Sequence, residues 1–249
     1  MTEPTSPALE VEALRYVYPD GTAGLRDVSL RVQPGERIAL IGPNGAGKST
    51  FLLNLNGILR AQSGTVRVLG ETLTEASVRS IRAKIGLLFS NPDDQLFSPT
   101  VLDDVAYGPL HMGLPRDEVL RRSREALAAV GMAEFEERVP HRMSLGQKKR
   151  VAIATVLSMG APILLLDEPT ASLDPSSRRG LIELLATLPL TLVVATHDLA
   201  MVADLLPRTV VLDDGRIIDD RPSAAILNDA GLLYAHQLEP LSAHGHPHA

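Results

Sequence analysis

A chain of 249 residues with a formal net charge of −6 and only 3% aromatic residues can bury a sizeable core. It shows neither the basic face nor the stacking side chains that hold nucleic acid, so free nucleic acid is not an expected partner. The absence of cysteine excludes disulfides and thiolate metal sites and suits a reducing cytosol.

The opening "MTEPTSPALE" has no basic start and no apolar stretch, so it does not read as a secretory signal, and residues 1–7 are expected to form a flexible lead. "LEVEALRYVY" and "LRDVSLRV" read as strands, and "RIALIG" as a buried strand followed by a glycine-rich turn and an apolar helix from about Lys48 to Ile58. The stretch from about Leu102 to Met143 has helical periodicity, with one helix opening at Pro115 and closing at Gly131. Val151 to Leu166 is uncharged but contains Gly160 and Pro162 and falls short of the ~20 residues of a membrane span, so it is expected to be a helix end followed by a buried strand. "ILLLDEP", "TLVVATHD" and "RTVVLDDGRIID" complete a set of short apolar strands, with Asp214-Gly215 as a hairpin turn. The pattern predicts an α/β fold with a mostly parallel sheet interrupted by a helical insertion. Residues 8–240 form one domain in this scheme, with the insertion at about 90–158, a C-terminal helical extension at about 221–240, and a His-rich tail at 241–249.

"GPNGAGKST" (Gly42, Pro43, Asn44, Gly45, Ala46, Gly47, Lys48, Ser49 and Thr50) fits the phosphate-loop pattern and lies between a buried strand and a helix, as that loop must. Glycines let backbone N–H groups turn onto phosphates, and the helix N-terminus adds its positive dipole end. Lys48 would bridge β and γ oxygens, and the Ser49 hydroxyl would take a place on Mg²⁺. "ILLLDEP" delivers Asp167 and Glu168 at the carboxyl end of an apolar strand, where such sheets bind ligands. Asp167 is the candidate Mg²⁺ ligand, and Glu168 the candidate to polarise an attacking water. His197 follows another buried strand and could meet the γ-phosphate, although, taken alone, a strand-end histidine is more often structural than catalytic.

Taken together and in this order, "GPNGAGKST", "MSLGQKKR", "LLLDEPTASLDP" and "ATHD" resemble the ATPase subunits of ABC transporters. Within that superfamily "YVYPDGTAGLRDVSL", "NPDDQLFSPTVLDDVAYGP" and "GQKKRVAIATVL" are similar to the ATPase of energy-coupling-factor importers, most closely the cobalt/nickel type. The resemblance implies a P-loop ATPase core with an N-terminal antiparallel β subdomain, working with ATP and Mg²⁺. It implies that Tyr18 stacks on adenine, Glu168 is the general base and His197 the γ-phosphate sensor. Ser144, Leu145, Gly146 and Gln147 would cradle the γ-phosphate bound by the other subunit, and Asp174 would communicate across that interface. The expected assembly is a head-to-tail homodimer on the cytoplasmic face of the inner membrane, driving uptake of Co²⁺ or Ni²⁺. An importer for another micronutrient such as a vitamin, a non-transport ABC ATPase and a weakly hydrolysing regulatory module are the alternatives.

Two departures bear on turnover. Ser90 stands where the family usually has a glutamine touching Mg²⁺ and water, and it is too short to do that job unaided; Gln95 cannot simply be carried into the role. Leu145 stands where the motif usually has its first glycine and adds a Cβ near the phosphate-binding turn. Lys148, Lys149 and Arg150 sit in the first turns of the following helix, poorly placed against its dipole, and read either as functional or as a solvated basic face. The loop Asn91–Val101 is expected to reach the membrane subunits, with Leu96 and Phe97 as its apolar contacts and Asp93 and Asp94 not catalytic. His111 and His236 read as surface or packing residues, and His244, His246 and His248 as a disordered tail, with loose binding of a divalent metal as the alternative.

Overall fold

The structure, a computed structural model, describes residues 6–240; the His-rich tail and residues 1–5 lie outside the described residues. Strands β1 (Leu9–Val17) and β2 (Ala23–Val32) alternate buried and exposed positions along most of their length, the pattern of a sheet with one wet face. Strand β3 (Arg37–Ile41) is buried beyond its first residue and feeds helix α1 (Lys48–Leu55), which ends three residues before the expected Ile58. After it come β4 (Ser63–Val68), β5 (Glu71–Thr72), α2 (Val78–Lys84) and β6 (Ile85–Leu88).

The insertion holds α3 (Val101–His111), α4 (Arg116–Ala129) and α5 (Leu145–Leu157). Between α4 and α5 the chain makes only short 3₁₀ turns at Ala133–Phe135 and Pro140–Arg142, so the stretch from Leu102 to Met143 is less continuously helical than its periodicity suggests. Strand β7 (Ile163–Asp167), α6 (Pro175–Thr187), β8 (Thr191–Ala195), α7 (Leu199–Leu205) and the hairpin of β9 (Arg208–Asp213) with β10 (Arg216–Pro222) follow. The C-terminal extension begins as strand through Pro222 and becomes helical only in α8 (Ser223–Leu227) and α9 (Ala230–Ala235).

Two sheets result. An antiparallel sheet has the order β2-β1-β4-β5, and a six-stranded sheet has the order β10-β9-β3-β8-β7-β6, parallel apart from its edge strand β10. The central strands of the larger sheet are buried on both faces, which is why they read as unbroken apolar runs. Ile38, Leu40, Leu165, Val193 and Leu212 face a core shared with the antiparallel sheet and α1. Their neighbours Ala39, Ile41, Leu164, Leu166 and Val194 face the core under the insertion and the C-terminal helices. The period of two thus divides one sheet between two cores. At Gly86 the insertion presses closest: a Cβ there would lie 1.7 Å from Val156 Cγ1.

Candidate functional site

The turn from β3 into α1 is shaped by close backbone contact. Gly42 has φ +151°, and a Cβ on it would stand 1.9 Å from the Leu212 carbonyl oxygen; Gly47 has φ +104°, and its Cβ would stand 2.5 Å from the Gly24 carbonyl oxygen. Only glycine tolerates both the conformation and the contact. The loop is therefore wedged between β9 of the large sheet and β2 of the small one, and Gly215 N–H donates to the Ala46 carbonyl on the same side (3.0 Å).

A cleft of ≈ 400 Å³ opens above this turn, lined by Tyr18, Asn44 to Thr50, Asp167 and Glu168. Lys48 is 8% exposed, and its Nζ donates to the carbonyls of Gly42 (2.7 Å) and Pro43 (3.0 Å), which hold it folded over the loop. Burial pushes its pKa down, while the carboxylates of Glu168 and Asp167 pull it back up. Burial pushes Asp167 above the ordinary carboxylate value, opposed by the Ser49 hydroxyl and reinforced by the charge of Glu168. A half-buried carboxylate next to a second carboxylate and a hydroxyl is a donor set suited to a hard divalent cation. Among the described residues no group of three His, Asp or Glu could hold a metal ion alone, so phosphate oxygens and water would complete any shell begun by Ser49 and Asp167. Tyr18 packs edge-on against Tyr16 at 4.9 Å, and its hydroxyl is bonded to Thr50 Oγ1 at 2.6 Å.

Glu168 leaves β7 in a left-handed conformation, φ +46°. Its Oε2 lies 2.9 Å from His197 Nδ1 and within 3.4 Å of the Thr196 hydroxyl and the His197 backbone N–H. The two strand ends β7 and β8 thus bring together the candidate base and the candidate phosphate sensor. Asp198, directly after His197, accepts from Arg178 Nε (2.6 Å) and Nη2 (2.7 Å), from the Thr170 hydroxyl (2.9 Å) and from the Met201 backbone N–H (2.9 Å). Arg178 and Thr170 escaped the motif reading, because nothing local marks an arginine on one helix as the partner of a turn 20 residues on.

The four residues Ser144 to Gln147 do not line this cleft. Helix α5 starts at Leu145, with Ser144 as its N-cap. Ser144 Oγ accepts from Gln147 N–H (3.3 Å) and Gln147 Oε1 accepts from Ser144 N–H (3.0 Å), a reciprocal capping box. Gly146 lies against α6, where a Cβ would meet Ser177 Oγ at 2.8 Å. Asp174 caps α6 through the backbone N–H groups of Ser176 and Ser177, and hydrogen bonds from Ser177 hold its carboxyl below the ordinary value.

Ser90 is exposed past the end of β6 and does not line the cleft. Gln95 is turned away from it: its Nε2 donates to the Ala152 carbonyl (2.9 Å) and Thr155 Oγ1 (2.8 Å) on α5. Asp93 pairs with Lys148 at 2.7 Å. The expectation for Leu96 and Phe97 divides. Leu96 is 1% exposed and belongs to the core, whereas Phe97 is 62% exposed and packs edge-on against Tyr107 at 5.0 Å. The basic run after the capping box is no solvated face either, since Lys149 is 1% exposed. His236 joins Asp213 at 2.7 Å, so it anchors the C-terminal extension to the β9 end, and His111 packs on Tyr107.

A family model described as ABC transporter matches residues 25–171. The chain belongs to the ABC transporter ATPase family. This ABC ATPase is 47% identical over 230 residues to the energy-coupling factor transporter ATP-binding protein EcfA of Methanothermobacter thermautotrophicus, an alignment covering 90% of this chain and 74% of the relative. Its fold is similar to that of cbiO1 from Clostridium perfringens, part of the ABC transporter complex cbiONQ, with TM-score 0.81, 37% identity, and coverage of 92% of this chain and 94% of that one. The ATP-binding cassette MJ0796, in a dimeric post-hydrolysis state bound to ADP and Pi, matches at TM-score 0.77 and 28% identity, covering 86% of this chain and 98% of that one. The ABC ATPase is accordingly an ATP-hydrolysing transporter subunit of the energy-coupling factor kind. No helix among its described residues is long and apolar enough to cross a membrane.

Proposed function

We propose that two copies of this ATPase pair head to tail on the cytoplasmic face of the inner membrane and drive an importer for a divalent transition metal ion, Co²⁺ or Ni²⁺. The observation that carries the pairing is the placement of Ser144 to Gln147 outside the cleft of their own chain, although they form a helix N-terminus suited to an anion. A second copy turned about a two-fold axis gives that N-terminus a γ-phosphate to meet, and each chain holds both halves of a site. The dimeric state of the MJ0796 cassette supports the arrangement.

Within each site Lys48 and the loop N–H groups hold the phosphates, Tyr18 offers its ring to adenine, and Ser49 and Asp167 hold Mg²⁺. Bound there, Mg²⁺ would neutralise charge on the phosphate oxygens. Glu168 takes the proton from the attacking water, and His197 orients against the γ-phosphate. Asp174 caps Ser177, which faces Gly146 across the α5–α6 contact, and it relays the partner's state. Ser90, exposed outside the cleft, is too short to replace a glutamine there unaided, and Leu145 adds a Cβ to the turn at Ser144 to Gln147; both bear on rate.

The contact with the integral membrane coupling and substrate-binding subunits runs through residues near Asn91–Val101. Phe97 (62% exposed), Tyr107 (45%) and Leu110 (57%) form an apolar surface on this loop and α3. The loop is also fastened to α5 by Asp93 and Gln95, so a shift of α5 is felt at the surface. The cobalt/nickel assignment is supported by the similarity of "NPDDQLFSPTVLDDVAYGP" to that type of importer and by the likeness to cbiO1. Transport reconstituted with the membrane subunits, comparing Co²⁺, Ni²⁺ and a vitamin as cargo, tests it; uptake of the vitamin alone overturns the metal assignment.

A further inference from the structure

Lys149 is a buried cation that phosphate binding and water activation do not use. It lies in the second turn of α5, where a positive charge is set against the helix dipole, and its stem is buried in the core. Packing alone would be served better by an apolar side chain of the same length, since taking an ammonium out of water is costly. What Lys149 gains is specific. Its Nζ donates to the carbonyls of Glu168 (3.0 Å), Pro169 (2.8 Å) and Ala171 (3.1 Å). Three carbonyls of one short turn converge on one nitrogen, and only an ammonium has three N–H groups to serve them together.

Elsewhere the turn is held by the Thr170 hydroxyl on Asp198 and by a few backbone bonds, none of which reaches the carbonyls of Pro169 or Ala171. Glu168 sits at φ +46° and Ser172 at φ +60°, conformations that side chains other than glycine adopt at a cost. Pro169 has no N–H to donate. The local backbone bonds are Glu168 N–H to the Ala195 carbonyl (2.8 Å), Ala171 N–H to the Glu168 carbonyl (3.2 Å) and Leu173 N–H to the Thr170 carbonyl (3.3 Å).

We propose that Lys149 is a positioning residue for hydrolysis: it holds the turn that presents Glu168 and ties that turn to the helix carrying Ser144 to Gln147. It touches no nucleotide and acts through Glu168. Because the helix start faces one site of the pair and Glu168 serves the other, a single side chain joins the two ends of one copy. The inference rests on Glu168 being the base, so Glu168→Gln is measured in parallel.

Lys149→Met keeps the length of the stem and removes the three donors; Lys149→Gln restores a neutral N–H₂ group on a shorter stem. With the full-length protein, Lys149→Met should leave ATP affinity within about two-fold while kcat falls about 100-fold, the loss expected when a reacting group is misplaced by about 1 Å. Lys149→Gln should recover part of that loss. Added to Glu168→Gln, Lys149→Met should lower turnover little further, since both act on the same group. A wild-type kcat in Lys149→Met overturns the proposal. So does a wild-type kcat in Lys149→Gln should the Met variant fail to fold, or a full additional loss in the double variant. Wild-type turnover in Glu168→Gln overturns the base assignment on which the proposal stands.

Discussion

The guanidinium of Arg178 forks onto the carboxylate of Asp198, with Nε to Oδ2 at 2.6 Å and Nη2 to Oδ1 at 2.7 Å. Asp198 adjoins His197, and Thr170 lies within the turn after β7 that presents Glu168, so this pair ties α6, that turn and the start of α7 into one unit. Arg178→Met leaves a largely buried carboxylate without its main partner. It should destabilise the protein by about 3 kcal/mol, as broken buried pairs do, and lower kcat through the displaced His197. Denaturant unfolding and steady-state phosphate release are the checks.

The same pair sets an acid dependence. Burial alone would raise the Asp198 pKa, but Arg178, the Met201 N–H and Thr170 together bring it below the ordinary 3.8. The folded carboxyl therefore binds a proton less readily than the unfolded one, and its contribution is complete above pH 3.8 and lost as pH falls through the lower folded value. Stability curves of the wild type and Arg178→Met should converge in acid and part above that range. Parallel curves would show that the pair contributes nothing through charge.

Glu168→Gln should bind ATP normally and lose about 10²–10⁴ in turnover, the range for removal of a general base. Sedimentation with ATP and Mg²⁺ should then show a stable dimer, and a monomer under those conditions would count against the head-to-tail pairing.

Lys48→Ala should weaken nucleotide binding itself. In the proposed site the ammonium would face the phosphates, and charge-assisted hydrogen bonds contribute about 1.5–3 kcal/mol, or roughly 10- to 100-fold in Kd by equilibrium titration.

Phe97 and its neighbour Leu96 should respond oppositely to the same change. Phe97→Asp removes an exposed ring and should keep ATPase activity while abolishing co-purification with the membrane subunits. Leu96→Asp places an unpaired charge in the core and should destabilise the chain by more than about 3 kcal/mol. Intact partner binding by Phe97→Asp would remove the loop from the interface.

Such adjacent residues mark how far the sequence could be read. The strands and the phosphate loop were legible because their signals are local: apolar runs bounded by turns, and glycines where the backbone must turn inward. Within "QLF" no periodicity says which apolar side chain points into the core, and the answer depends on α5 lying beneath the loop. Lys149 was visible only as one member of a basic run, because its acceptors lie about 20 residues on and converge only once the turn has formed. The capping box at Ser144 and Gln147 was within local reach, and it sets the helix start at Leu145.

The wedging of the phosphate loop bears on the order of assembly during synthesis. One wall of the loop comes from Gly24 on β2, and the other from Leu212 on β9, close to the carboxyl end of the described chain. A nascent chain carries the whole "GPNGAGKST" motif long before Leu212 emerges, yet it has nothing to press Gly42 into place. Capture of nucleotide is therefore expected to come late, once the last strand of the parallel sheet docks, and bound ATP would favour chains in which both sheets have met.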